Sequence, residues 1–282
     1  MKLELVDSLS LPGNPEKAND DAFAYRETAA IVLDGATGLG ERLMPGPSDA
    51  AWLARFGANR IMSYLGDGAR PQEAVTAALF DADTSFAQLR RRPPQDRYEI
   101  PFASMMLVVA EAGGLECLWY GDCAALVGHA GGRVEIVGEA IEKRAREARR
   151  VKRLAESQGE ATAAVSVREQ FLPALRSARN LVNTEKAGYL FGPEVIAADH
   201  AQARRVAVAP GTHVLLVTDG FLALASDYGR YDLAGLLAAA KGKGLAALMG
   251  ELRDVEDADP EGRQFPRFKK SDDATAVLVR VV

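Results

Sequence analysis

Cysteine and histidine, the residues on which many enzyme chemistries depend, are scarce in this sequence. The only cysteines, Cys117 and Cys123, sit in apolar text with no CxxC pair. That argues against a disulfide scaffold or a structural zinc and fits a reducing cytoplasm. Three histidines, His129, His200 and His213, show no HExxH or HxH spacing, so histidine-based metal or acid–base chemistry is poorly supplied. No apolar run approaches the ~20 residues of a membrane span. Residues 1–10 carry Lys2, Glu4 and Asp7, unlike a secretory signal. A soluble chain without membrane association is expected. A net charge of −5 offers no basic footprint for nucleic acid. No repeat or low-complexity segment appears, and nothing specifies an oligomeric state.

With 48% hydrophobic and 26% charged residues over 282 positions, the chain reads as globular and long enough for a large core. Short apolar runs ending at turn residues predict strands at 3–6, 28–33, 103–110, 115–120, 124–128, 133–137, 205–209, 213–217 and 275–281. Helices are expected at 49–65, with Ser48 as N-cap, and at 72–91 after Pro71. Further helical stretches are expected near 141–157, 165–181 and 233–252. This mixed order implies an α+β sandwich, with helices outside packed antiparallel sheets, and not a regular βαβ alternation. No domain boundary is evident, so residues 1–282 are read as one domain, with about 138–200 as a helical flap inserted within it.

Aspartate is where the chemistry concentrates. Ile31-Val32-Leu33 runs into Asp34-Gly35, and Val214-Leu215-Leu216-Val217-Thr218 runs into Asp219-Gly220. Asp272-Asp273 precedes the run 276–279, Asp20-Asp21 precedes Ala22-Phe23, and Asp122 follows Tyr120-Gly121. Singly, each is an ordinary turn signal. Jointly, carboxylates at the ends of buried strands place hard oxygen ligands on a rigid frame, as Mg²⁺ and Mn²⁺ require. The glycine after Asp34 would let its carbonyl approach an ion closely.

Five short motifs, Asn19-Asp20-Asp21, Leu33-Asp34-Gly35, Gly121-Asp122-Cys123, Thr218-Asp219-Gly220 and Asp272-Asp273-Ala274-Thr275, stand in the order found in type 2C (PPM) Ser/Thr protein phosphatases. The chain resembles that family over almost its whole length. The resemblance implies an αββα sandwich and a binuclear Mn²⁺ or Mg²⁺ centre, with a weaker third ion. Asp34 would bridge the two ions and the Gly35 carbonyl would bind one of them. Asp219 and Asp272 would complete the first ion's shell, Asp20 and Asp21 would serve the second, and Asp122 would hold the third. Catalysis would rest on Asp34, Asp21 and Asp219, with a metal-activated water hydrolysing phosphoserine or phosphothreonine in a phosphorylated protein.

The sequence departs from the family at several places. Glu16 stands where the family often has a phosphate-gripping arginine, so Lys17 becomes the candidate phosphate anchor, with Glu16 pointing away. Ala223 replaces an acidic residue, Asp273 replaces an asparagine, and Ala36-Thr37-Gly38-Leu39-Gly40 replaces Met-Gly-Gly-His. A metal-poor pseudophosphatase acting as a binding module and a small-phosphomonoester hydrolase are the alternatives. An aspartyl-nucleophile phosphatase would need a second acid where Ala36 stands, and residues 35–40 match no nucleotide-binding glycine loop. The cations of 143–153 read as a solvated helix face or a basic flap for acidic phosphoprotein segments. His213, Trp52 and Trp119 read as packing residues, as does Cys123, whose thiol would be oxidation-sensitive beside a metal.

Overall fold

A strand buried on both faces loses the alternation of polar and apolar residues that marks a half-buried one, and the central strands here read that way. The computed structural model describes residues 1–141, 164–267 and 269–282. Strands β1 (Leu3–Leu11), β2 (Asp21–Arg26) and β3 (Ala29–Gly35) lead to helices α1 (Asp49–Gly66) and α2 (Pro71–Leu89). Then come β4 (Ala103–Glu111), β5 (Gly114–Tyr120), β6 (Ala124–Gly128), β7 (Val134–Val137) and α3 (Ala164–Arg179). The chain ends with β8 (Gln202–Val206), β9 (His213–Val217), α4 (Asp219–Ser226), α5 (Leu233–Lys243), α6 (Leu245–Ala258) and β10 (Ala274–Val281).

The strands form two five-stranded sheets, ordered β1-β10-β9-β6-β7 and β2-β3-β4-β5-β8, with antiparallel pairing throughout. Side chains alternate across each strand, so β3 sends Ala30 and Val32 into the layer between the sheets. Its Ile31 and Leu33 pack instead against Leu53 and Ile61 of α1 and Leu79 of α2. On the other sheet, Leu215, Val217 and Leu278 meet Phe221 of α4 and Leu248 and Leu252 of α6. The result is the expected αββα sandwich. Truncating one of these buried leucines to alanine costs ~2–5 kcal/mol, because the rigid layers cannot collapse onto the void.

Several elements differ from the expectation. Strand β2 carries no β-branched residue and was not anticipated. Strand β8 lies at 202–206 and not 205–209, because this sheet-edge strand is mostly exposed and polar. The stretch 233–252 is two helices, broken at Gly244 with φ +83°. Ser48 caps α1 as expected, accepting from the Ala51 amide at 3.2 Å. The helix expected at 141–157 and the basic face at 143–153 fall outside the described residues, save Ile141 at the former's edge. Trp52 packs against Phe56 and Phe86, with ring centroids 5.3 and 6.3 Å away.

Candidate metal and phosphate site

The aspartates gather because the same ends of both sheets meet. Asp34, the penultimate residue of β3, pairs in register with Asp21 on β2 and with Ser104 on β4. Ser104 donates its hydroxyl to the Asp122 carboxylate, just beyond β5. In the other sheet, Asp219 opens α4 immediately after β9, and Asp272 lies just ahead of β10. Thr218 joins the two sets, donating to Asp21 Oδ2 at 2.8 Å and accepting from the Thr275 amide at 2.9 Å.

A cavity of about 960 Å³ opens over this end, lined by Asp34, Gly35, Asp122, Asp219 and Asp272. Asp21 is buried beside Asp34 and is not among the residues lining the cavity. Asp20 and Lys17 border a second cavity of about 370 Å³, which shares Ala36, Thr37, Leu39 and Arg179 with the first. Both Lys17 and Glu16 are exposed there.

The two Asp-Gly pairs are not hairpin turns. Asp34-Gly35 remains paired with β4, and Asp219-Gly220 begins a helix. What demands glycine is close backbone approach: a Cβ on Gly35 would lie 2.5 Å from the Asp20 carbonyl, and one on Gly220 would strike the Asp273 carbonyl. These glycines let the strand ends carrying the acids close on each other.

Charge is concentrated here at a cost. Burial first, then the charges of Asp21, Asp219, Asp272 and Asp122, push the Asp34 carboxyl well above its ordinary range. Asp21 is likewise pushed well up by burial, against hydrogen bonds from Thr218 and Thr275 that favour its charged form. Asp20 is raised by burial, while its bond from Ser48 pulls the other way. Burial, followed by Asp34 and Asp122, also drives the Cys123 thiol upward, disfavouring a reactive thiolate.

Among the described residues, no three His, Cys, Asp or Glu side chains already converge as a finished metal shell. The donors nevertheless suit divalent ions. They are hard oxygens in mutual repulsion, which a cation relieves, and Asp21 Oδ1 is buried with no hydrogen-bond partner among the described residues.

Four contributors were not recognised as such in the sequence. Thr218 and Ser104 orient Asp21 and Asp122, as above. Asp273, read as a charge added near the metals, does act on Asp20 and Asp21 and also accepts from the Gly13 and Asp20 amides at 2.8 and 2.7 Å, clamping the first acidic loop onto β10. Lys269 places Nζ 2.6 Å from Asp272 Oδ1 and 3.1 Å from Thr37 Oγ1. Its position three residues before Asp272 was the available signal.

The family model described as Protein phosphatase 2C matches residues 15–251, and the chain belongs to that family. No curated protein matches it. Among solved structures, the Mycobacterium tuberculosis serine/threonine phosphatase PstP/Ppp is similar at 12% identity and TM-score 0.58, covering 100% of this chain and 99% of that one. The photosystem II phosphatase PBCP is similar at 15% identity and TM-score 0.60, covering 99% of each chain. A PstP catalytic domain in complex with two manganese ions is similar at 14% identity and TM-score 0.56, covering 100% of this chain and 99% of that one. At these identities the likeness shows the fold.

Proposed function

We propose that this protein is a Mn²⁺- or Mg²⁺-dependent phosphatase acting on phosphoserine and phosphothreonine in cytoplasmic proteins, without nucleic-acid or membrane partners. One observation carries the reading: half-buried Asp34 pairs in register with Asp21 and lines one cavity together with Asp122, Asp219 and Asp272 at the joined sheet ends. Repulsion on that scale is retained only where it serves a purpose, and binding a multivalent cation is the purpose it fits.

Asp34, the Gly35 carbonyl, Asp219 and Asp272 would hold one ion, and Asp34, Asp20 and Asp21 a second, with Asp122 serving a weaker third. Divalent ions so held supply neutralisation of phosphoryl oxygens and acidification of water. The chain's own groups do the positioning. Thr218 and Ser104 hold Asp21 and Asp122 in place, and Asp273 keeps Asp20 against β10. Trp119, Tyr189 and Phe265 contribute aromatic surface to the cavity wall.

The 138–200 stretch, of which 142–163 lie outside the described residues, is assigned substrate choice within a single domain, a reading supported by Leu175, Arg179, Val182, Tyr189 and Leu190 on the cavity wall. The test is hydrolysis of an aryl phosphate and of a phosphothreonine peptide by the full chain, with metal content measured. Mn²⁺-stimulated release from both, chelator-sensitive and lost in Asp34→Ala, is expected. Absence of metal-stimulated release from both substrates would overturn the phosphatase reading, and release from the aryl phosphate alone would overturn the protein-substrate assignment.

A further inference from the structure

A phosphate monoester carries about two negative charges near neutral pH, and here it must approach a cavity lined by carboxylates. The divalent ions proposed above would take part of that charge, and a cation of the chain beside them would hold and orient the group. Among the described residues, the cavity is lined by Arg179, Arg267 and Lys269. Arg267 is committed elsewhere. Its Nε donates to the Lys270 carbonyl at 2.8 Å, its Nη1 to Asp259 Oδ2 and the Phe265 carbonyl at 3.1 and 3.0 Å, and its Nη2 to the Glu256 and Asp259 carbonyls. Arg267 is a brace for its own loop. Arg179 sits on α3, where the two cavities adjoin.

Resting on the phosphatase reading above, we infer that Lys269 is the cation that receives the substrate's phosphoryl group, assisted by the Thr37 hydroxyl. Its ammonium touches Asp272 and Thr37, so it stands on the carboxylate set itself. Its charge also reaches Asp20, the acid of the neighbouring cavity. The side chain is 34% exposed, open enough for a ligand to reach. Its loop is held firmly. The Asp259 carboxylate accepts from the Arg263, Gln264 and Phe265 amides at 2.8, 3.3 and 3.0 Å, and Arg253 Nη2 donates to the Asp272 carbonyl at 3.0 Å. Lys270, by contrast, pairs outward with Asp257 at 2.7 Å. Were Asp272 to hold a divalent ion, the Lys269 ammonium would exchange its Asp272 contact for a phosphoryl oxygen while keeping Thr37 as an anchor.

The test is calorimetric titration of inorganic phosphate into the full-length protein in Mg²⁺ buffer, with Mg²⁺ affinity measured separately. Losing a charge-assisted contact should weaken phosphate binding about 10- to 100-fold in Lys269→Ala. Lys269→Arg should recover part of it, and Lys270→Ala should match wild type. The inference is overturned if wild type binds no phosphate, or if Lys269→Ala retains wild-type phosphate affinity. It is equally overturned if the loss follows Lys17→Ala or Arg179→Ala instead, or if Lys269→Ala changes only Mg²⁺ affinity. Phosphate binding that depends on Lys269 without metal-stimulated hydrolysis would sink the phosphatase reading and leave this assignment standing.

Discussion

At the scale of single residues, the site works against the fold that carries it. Asp34 is half-buried among like charges, and their repulsion adds to desolvation in raising its carboxyl. Asp34→Asn keeps the shape and removes one charge. At a pH where the folded carboxyl is ionised it should therefore raise the melting temperature of the chelator-treated protein by a few degrees, since ~1 kcal/mol moves a domain of this size by roughly 2–4 °C. The same change should lower metal-dependent phosphate release by on the order of 10³-fold if Asp34 holds both ions as proposed. A melting temperature that falls in chelator would contradict the repulsion argument. The acids themselves were legible, since each stands beside a glycine or another acid at the end of an apolar run. Their supports were less so. Nothing local marks Ser104 as the partner of Asp122, because the two meet only through strand pairing and the turn after β5. Nothing local marks the contact of Lys269 with Thr37 either, because it spans 232 positions.

At the scale of elements, long apolar runs were easy to place and breaks between helices were not. The stretch 233–252 has helical composition throughout, yet Gly244 adopts φ +83° and ψ 160°, a conformation that only glycine takes readily. Helix α6 therefore starts afresh, and its missing N-terminal partner comes from afar. Asp7 of β1 accepts from the Leu245 amide at 2.8 Å, the service a local cap would render. Helix α5 has its own cap, with Asp232 accepting from the Gly235 amide at 2.6 Å. Capping supplied across 238 positions leaves no local trace, which is why the break went unread. Asp7→Ala should cost about 1 kcal/mol, and Gly244→Ala about 1–3 kcal/mol from backbone strain. Denaturant titration of both variants checks this. If Gly244→Ala is as stable as wild type, the left-handed break is not a requirement of the sequence.

At the scale of the whole molecule, the two sheets are tied at the acidic end by Thr218, and the last strand is zipped to the first through the β1–β10 pairing. That closure joins the chain's two ends, and with them Asp20, Asp273 and Asp272, so the site is a property of the complete fold. The αββα arrangement was legible because five motifs stood in order, whereas pairing between such distant strands leaves no periodicity to read. Tying stability to one acidic end also gives it a distinctive pH dependence. Asp34 and Asp21 have folded carboxyls well above the ordinary 3.8, so between that value and their raised ones the folded state binds more protons than the unfolded chain. Their contribution favours folding at low pH and is lost as pH rises. Asp259 runs the other way: its carboxyl, lowered by the amides of its loop, contributes above the ordinary range and loses that only in acid. With chelator present, the melting temperature should therefore fall as pH climbs from the ordinary carboxylate range through the raised values of Asp34 and Asp21, and Asp34→Asn should flatten that decline. With excess Mn²⁺ the slope should reverse, because ions bind the deprotonated carboxylates, and ligand at ~100 times its Kd adds about 2.7 kcal/mol. A wild-type melting temperature that climbs over this interval in chelator, in parallel with Asp34→Asn, would mean that the buried carboxylates do not set the balance and that the acidic sheet ends are not under the strain assigned to them.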